Sequence, residues 1–426
     1  MERINDLRNF LDNAHSVFHA TALLVEKLEN AGYKQLKEIN EWTLIPGGKY
    51  YLTRNDSAVI AFRVPAGKPK GFLFSASHTD RPCFKIKENG VQVGNYTRLL
   101  VERYGGVLIG TWLDRPLSVA GRVMVETETG VQSKLIDFDR DLLMIPNVAA
   151  IYVNRSGDGQ KWNLTTDTIP LLGSKEAADK FYAELEDLAG GKIIGHDLYL
   201  YLRQKSTVWG LENEFFSAPA LDDLECAWGC TRGFLDAKPT DNIPVLCVFD
   251  NEEIGSGSYQ GAAADFLQST VTRICEALAL DPRQVLPKSF MVSADNGHAI
   301  HPNHPEFADS ANAPVINGGV MVKFQAEHRY TTVGLTAAIF RKICKNADVP
   351  MQTYCNRADL AGGGTLGKVS ISQVSVPSVD IGMAQLAMHS CYETAGVKDA
   401  GYLADAMTAY YGTDLDFDGA GNWHIG

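Results

Sequence analysis

Long apolar runs that end in polar clusters dominate the pattern of this chain. Residues 243–249, Ile243-Pro244-Val245-Leu246-Cys247-Val248-Phe249, form an apolar run of the length a buried parallel strand wants. Residues 70–77, 289–294 and 374–382 repeat the pattern. Between and after these runs, residues 222–237, 264–280 and 331–347 have the length and spacing of amphipathic helices. Near the N-terminus, Ile4, Leu7, Leu11, Val17, Phe18, Leu24 and Leu28 recur at near-helical spacing, which predicts one helix over 4–30 that Gly32 stops. Strands alternating with helices predict an α/β fold, a mostly parallel mixed sheet flanked by helices. From about 92 to 215 the texture changes to short β-rich runs and turns, interrupted by one helix near 174–189. The run at 72–77 precedes this region and resembles the buried strands after it. Residues 92–215 therefore read as an insertion into one domain made of 1–91 and 216–426.

The polar clusters carry the chemistry. Asp250-Asn251-Glu252-Glu253 follows the first run and His78-Thr79-Asp80 ends the second. Asp295-Asn296-Gly297-His298 ends the third, the fourth leads to Met388-His389-Ser390, and Asp222-Asp223 opens a helix. In an open α/β sheet that strand edge is where ligands bind. Clustered carboxylates repel one another unless cations or protons neutralise them. Taken alone, 250–253 reads equally well as a solvated acidic turn, and a lone histidine is usually structural. Several such clusters in one chain favour metal. Imidazole and carboxylate without thiolate suit zinc first, with cobalt or manganese also compatible. Two-metal hydrolase sites hold their ions about 3.5–4 Å apart and need a bridging carboxylate, terminal ligands and a separate base. Asp222 is the natural bridge. His78 and Asp295 can serve one ion, and Glu253 and His389 the other. Glu252 is left as general base. Asp80, two residues after His78, can take the second imidazole N–H and fix its tautomer.

Composition narrows the class without changing this picture. At 426 residues the chain exceeds the usual single-domain size, so two domains are expected. A net charge of −12 argues against nucleic acid as a partner. No apolar run approaches a membrane span, and residues 1–7 lack a signal-peptide core. The eight cysteines are scattered without C-x-x-C pairs, which fits reduced thiols in a cytoplasmic protein.

The motif series His78-Thr79-Asp80, Leu221-Asp222-Asp223, Asn251-Glu252-Glu253-Ile254-Gly255, Asp295-Asn296-Gly297-His298 and Gln385-Leu386-Ala387-Met388-His389-Ser390 resembles that of the aspartyl aminopeptidase family. These are cocatalytic zinc exopeptidases. Tyr104-Gly105-Gly106, Thr111 to Arg115, Asn356-Arg357 and Gly364 to Gly367 add matches, and the resemblance covers nearly the full length. It implies a zinc exopeptidase-like catalytic domain, an inserted β-rich dimerisation domain and two divalent ions per subunit. It also implies removal of an N-terminal residue, preferably Asp or Glu, from peptides, and dimers that assemble into a tetrahedral homododecamer. Carried over by position, His78, Asp222, Glu253, Asp295 and His389 become metal ligands and Glu252 the base. Which ligand serves which ion stays open.

The resemblance also supplies substrate-binding candidates. Lys323 aligns with the family lysine that faces the substrate's acidic group, with a snorkelling strand-end lysine as the alternative. His298 is a candidate to contact substrate. Gly363, within the glycines 362–364, would let backbone approach it, unless the run is a plain flexible turn. His301 and His304 either join them or simply satisfy loop hydrogen bonds. The family usually carries a histidine in the segment matching 145–155, reaching into the neighbouring subunit's site to steady the oxyanion. This chain has no histidine between His78 and His196, and Tyr152 is the candidate replacement. Two other readings remain: an aminopeptidase or amidohydrolase of different specificity, and a metal-stabilised cage with weak or lost catalysis.

Overall fold

The computed structural model describes residues 2–149, 161–360 and 362–426. Among them, the largest sheet has nine strands. Its order is Lys34–Gln35, Lys49–Arg54, Ala58–Arg63, Ile243–Phe249, Phe72–His78, Phe290–Ala294, Ser378–Gly382, Val320–Phe324 and Met351–Cys355. The four strands from Ile243–Phe249 to Ser378–Gly382 run parallel to one another. Every residue of these four is buried, which is why their sequences are unbroken runs rather than alternating patterns. Register makes their carboxyl ends nearly flush: Phe249 pairs with His78, Ser293 with Ala76, and Ala294 with Ile381. The strand-end clusters of the sequence therefore meet along one edge.

Helices cover both faces of this sheet. Leu221–Asp236 and Asp399–Tyr411 pack on one side, in a core that includes Leu224, Trp228, Leu403 and Met407. Phe266–Ala277 and Leu366–Gln373 lie on the other, where Phe266, Val271, Ile274 and Leu366 meet Phe72, Phe74 and Val245. Helix Gly334–Asn346 also forms within the stretch expected at 331–347.

A second, six-stranded sheet has the order Gly130–Asp137, Leu117–Thr127, Ile193–Leu202, Cys83–Val93, Tyr96–Tyr104 and Leu171–Ser174. All its pairings are antiparallel. Helix Lys180–Ala189 closes its own hydrophobic core through Phe181, Leu185 and Ala189. This sheet begins at Cys83, ahead of the expected boundary at 92. On the far side, Thr207–Trp209 and Phe215–Ala218 already pair with each other and with Glu393–Gly396, outside this sheet.

The N-terminal expectation needs correction. Residues 4–30 form two helices, Glu2–Leu11 and Val17–Asn30, not one. Ser16 caps the second by accepting from His19 N–H at 3.4 Å. The intervening turn is bound elsewhere: Ala14 O accepts from Arg81 and Asp12 Oδ1 from Ser206 N–H. Polar residues at 12–16 satisfy a turn better than a helix interior.

Candidate metal centre

His78 is the last residue of its strand and 1% exposed. Its Nδ1 lies 3.1 Å from the Asp80 carbonyl oxygen and 3.2 Å from Asp80 Oδ1. Both are acceptors, so Nδ1 carries the proton and Nε2 is left bare. Asp80, itself fully buried, also accepts from the backbone N–H groups of Glu252 at 3.0 Å and Glu253 at 3.1 Å. One carboxylate thus fixes both the imidazole and the turn after strand Ile243–Phe249. Asn251 makes that turn in the left-handed region, with φ 63°.

Asp222 lies between two histidines. Its Oδ1 is 3.6 Å from His78 Nε2 and its Oδ2 is 3.4 Å from His389 Nε2. His389 Nε2 is in turn 3.5 Å from Glu253 Oε2. These separations are too long for strong hydrogen bonds and suit atoms converging on shared ions. Ligand atoms of His78, Asp222, Asp223 and Asp295 all lie within 4.8 Å of one another, as do those of Asp222, Glu253 and His389. A third grouping, His78 with Glu252 and Glu253, overlaps both. Asp222 Oδ1 and Asp223 Oδ1 are buried without a donor among the described residues. An orphaned carboxylate oxygen in a protein interior is costly, and a cation removes that cost.

The electrostatics agree. Burial pushes the Glu252 carboxyl up to about 8; His78 pulls against it, and lesser repulsions from Asp295, Asp80 and Asp222 add to the rise. Burial and Asp222 drive Glu253 well above the usual carboxylate range, and burial raises Asp295 to about 6. Asp222 moves the other way. Burial works against it, but His389 and His78 hold it below its ordinary value. The cluster holds more carboxylate than the protein alone keeps ionised, and divalent cations are the natural counter-charge. The residues present therefore fit a metal site.

A cavity of about 340 Å³ opens onto this cluster, lined by Glu252, Asp295, His298, Lys323, Tyr354 and Gly363 among others. Lys323 is 2% exposed and donates to Asn296 O at 2.8 Å. Burial pulls its pKa down, but Asp295, Tyr330 and Asp380 outweigh that and hold it above its ordinary value. It is a buried cation in the wall of the pocket. A neighbouring cavity of about 450 Å³ shares His298, Tyr354 and Gly363 and is lined by His301 and His304. The structure therefore brings together His78, Asp80, Asp222, Glu252, Glu253, Asp295, His298, Lys323, Gly363 and His389. Tyr152 lies outside the described residues.

Residues without an assigned role in the sequence complete the site. Asp223 Oδ2 accepts from His78 N–H at 3.2 Å. Glu393 accepts from the backbone N–H of Asp222 at 3.1 Å and of His389 at 2.7 Å, one on each oxygen. Tyr104 Oη donates to Asp80 at 2.7 Å. Asp223 was visible as the second half of an Asp-Asp pair, and Glu393 only as a carboxylate four positions after His389.

Comparison with known proteins fits this geometry. The sequence profile of the family described as Aminopeptidase I zinc metalloprotease (M18) matches residues 10–411. The chain belongs to the M18 aminopeptidase family. A probable M18 family aminopeptidase 2 of Clostridium novyi is 38% identical over 424 residues, covering 96% of this chain and 98% of that protein. One from Pseudomonas paraeruginosa is 37% identical over 420 residues, covering 95% and 97%. Among solved structures, a chain of the Ape4 and Nbr1 complex is 32% identical with TM-score 0.91, covering 96% of this chain and 85% of that one. A chain of the S. cerevisiae mApe1 dodecamer is 26% identical with TM-score 0.85, covering 96% of both. Like its M18 relatives, the protein is a metallo-aminopeptidase, a hydrolase of a zinc-dependent family.

Proposed function

We propose that this M18 enzyme removes N-terminal residues, preferably Asp or Glu, from peptides at a two-metal site with Glu252 as general base. Asp222 carries this reading: one buried carboxylate whose two oxygens face two different histidines. In it, His78 and Asp295 would hold one ion and Glu253 and His389 the other, with Asp222 shared between them. The chemistry such cations supply when bound is Lewis-acid polarisation of a carbonyl and a nucleophilic water near neutral pH. Of the two glutamates after strand Ile243–Phe249, Glu252 is the one this assignment leaves without an ion to ligate. It accepts a proton from the attacking water and returns it to the leaving amine. Burial, and to a lesser degree the neighbouring carboxylates, raise its carboxyl; counter-charging those neighbours would bring it back down toward the ordinary carboxylate range, where it is ionised and able to accept a proton. Asp80 keeps the His78 ring oriented and the Glu252 backbone in place.

Lys323 is the cation that an acidic first side chain would meet, and the same cavity contains His298 and Gly363. The adjoining cavity gives room for the rest of the peptide. The inserted sheet leaves Val93, Tyr96, Val131 and Ile194 about half or more exposed, which supports a role in pairing subunits. Assembly into a dodecamer is our reading from the relative described as one. Tyr152 is our candidate for an oxyanion donor supplied across such a subunit contact.

The test is hydrolysis of Asp-, Glu-, Leu- and Ala-p-nitroanilide after chelation and after adding back zinc, cobalt or manganese. Metal-dependent cleavage favouring Asp or Glu is expected. Cleavage of neutral substrates alone would keep the metal mechanism and discard the Lys323 argument. Unchanged turnover in Tyr152→Phe would discard the tyrosine donor.

A further inference from the structure

The inserted sheet meets the metal cluster at the end of strand Tyr96–Tyr104 and in the residues just after it. Strand Tyr96–Tyr104 ends at Tyr104, whose hydroxyl donates to Asp80 and accepts from Asn251 Nδ2 at 2.8 Å. The next residues run past Glu253 and His389. Gly105 has φ 70°, and a Cβ there would sit 3.2 Å from Glu253 Cβ. A Cβ on Gly106 would sit 2.8 Å from His389 Nδ1, closer than side chains tolerate. The contacts between these segments are hydrogen bonds as well as packing. His389 Nδ1 donates to Gly106 O at 3.0 Å, Leu108 N–H donates to His389 O at 3.1 Å, and Cys391 N–H donates to Thr111 Oγ1 at 3.0 Å. The carbonyl of Gly106 fixes the proton of His389 on Nδ1, which aims a bare Nε2 at Asp222 and Glu253. His389 needs this hold. Its side chain is 31% exposed and its backbone sits at φ 68°, whereas His78 is buried and pinned by Asp80 from within its own domain.

We infer that Gly106 and the segment 105–108 are positioning elements for one ion only, the one shared by Asp222, Glu253 and His389. Occupancy of that position is thereby coupled to the seating of the inserted domain. This rests on the two-ion reading above. The coupling is reciprocal: whatever seats the insert tightens that ion, and the ion tightens the seat. The insert is then a part of the catalytic apparatus of its own subunit, and its movement changes metal affinity unequally at the two positions.

The experiment is zinc titration of the full-length protein against a zinc-buffered series, with bound metal read by mass spectrometry, for wild type, Gly106→Ala and Gly110→Ala. Gly110 is the control, because among the described residues a Cβ there meets only Trp162, at an ordinary 3.6 Å. In Gly106→Ala one of two zinc ions is expected to weaken by about 10–100-fold, the usual cost of losing a ligand's orienting partner, with the other ion unaffected. Gly110→Ala should keep both. Equal weakening of both ions, or no weakening of either, overturns the inference. Wild type that binds a single ion refutes the two-ion reading itself. Should Gly106→Ala not fold, hydrogen exchange on wild type decides. Zinc should slow exchange at Leu108 and Cys391 more than at strand Lys49–Arg54, and no difference there overturns the coupling.

Discussion

Replacing Lys323 by Met tests the specificity argument while leaving the rest of the site standing. Lys323 is 2% exposed, its ammonium donates to Asn296 O as its one hydrogen bond among the described residues, and its ring contact is with Tyr330 at 5.4 Å. Methionine has similar length and fills the same space, so folding should lose about 1.5–3 kcal/mol for the charge-assisted hydrogen bond. Substrate binding stands to lose more. An acidic side chain entering the cavity leaves water and gains this one buried cation. Truncating one partner of a buried, hydrogen-bonded charge pair costs about 2–5 kcal/mol, or about 30- to 5,000-fold. The assay is kcat/KM for Asp-p-nitroanilide and Leu-p-nitroanilide on the zinc-loaded enzyme. The Asp value should fall by that factor, and the Leu value should stay level or rise, because a neutral side chain no longer faces a buried cation. An equal fall for both substrates would refute the reasoning. It would mean that Lys323 acts through Asp295, its largest source of attraction, and not through the substrate.

Three further outcomes follow from the same geometry. Glu252→Gln should lower kcat by about 10²–10⁴-fold with zinc content unchanged; loss of zinc instead would make Glu252 a ligand. Glu393→Ala removes the acceptor shared by the Asp222 and His389 backbones, and zinc affinity should drop by about 10-fold or more with the thermal stability of the metal-free protein changed less; intact affinity would show that the two loops hold themselves. Burial raises the Asp137 carboxyl, but hydrogen bonds from His15 and Tyr201 outweigh it and bring it down to about 2. A depressed carboxylate contributes stability above the usual range near pH 4 and loses it as pH falls toward 2, here about 1–2 kcal/mol after allowing for partial exposure. In urea unfolding, the gap between wild type and Asp137→Asn should narrow from pH 5 to pH 3, and a gap that widens on acidification would count against the pair.

The central sheet and the polar cluster at its edge were legible because one physical requirement wrote both. Strands buried on two faces must be apolar throughout, and any polar cluster at their ends stands out against that background. The unbroken runs at 72–78 and 243–249 therefore announced the edge at which His78 and Glu253 meet. The N-terminal helix pair was hidden for the opposite reason. Ile4 to Leu28 keep a single helical spacing across the break, and only tertiary acceptors and the Ser16 cap reveal the turn. Glu393 was hidden because it acts on backbone N–H groups, which leave no side-chain pattern in the sequence.

The inserted sheet shows where reading a chain by segments stops working. Tyr104-Gly105-Gly106 stood out as a motif, yet nothing local says that Gly106 O faces His389, 283 positions away. That contact exists only because strand Cys83–Val93 leaves the metal edge right after Asp80 and Tyr96–Tyr104 returns to it, with Cys83 paired to Tyr104. The hairpin begins and ends at the cluster, so its root is fixed by the same carboxylate that orients His78. An insertion rooted this way cannot move as an independent body. Rotation of the insert must either break the Tyr104–Asp80 bond or carry the His389 hold with it. The exposed position of His389 makes the second course the easier one, which is why its ion, rather than the one at His78, should report how the insert sits.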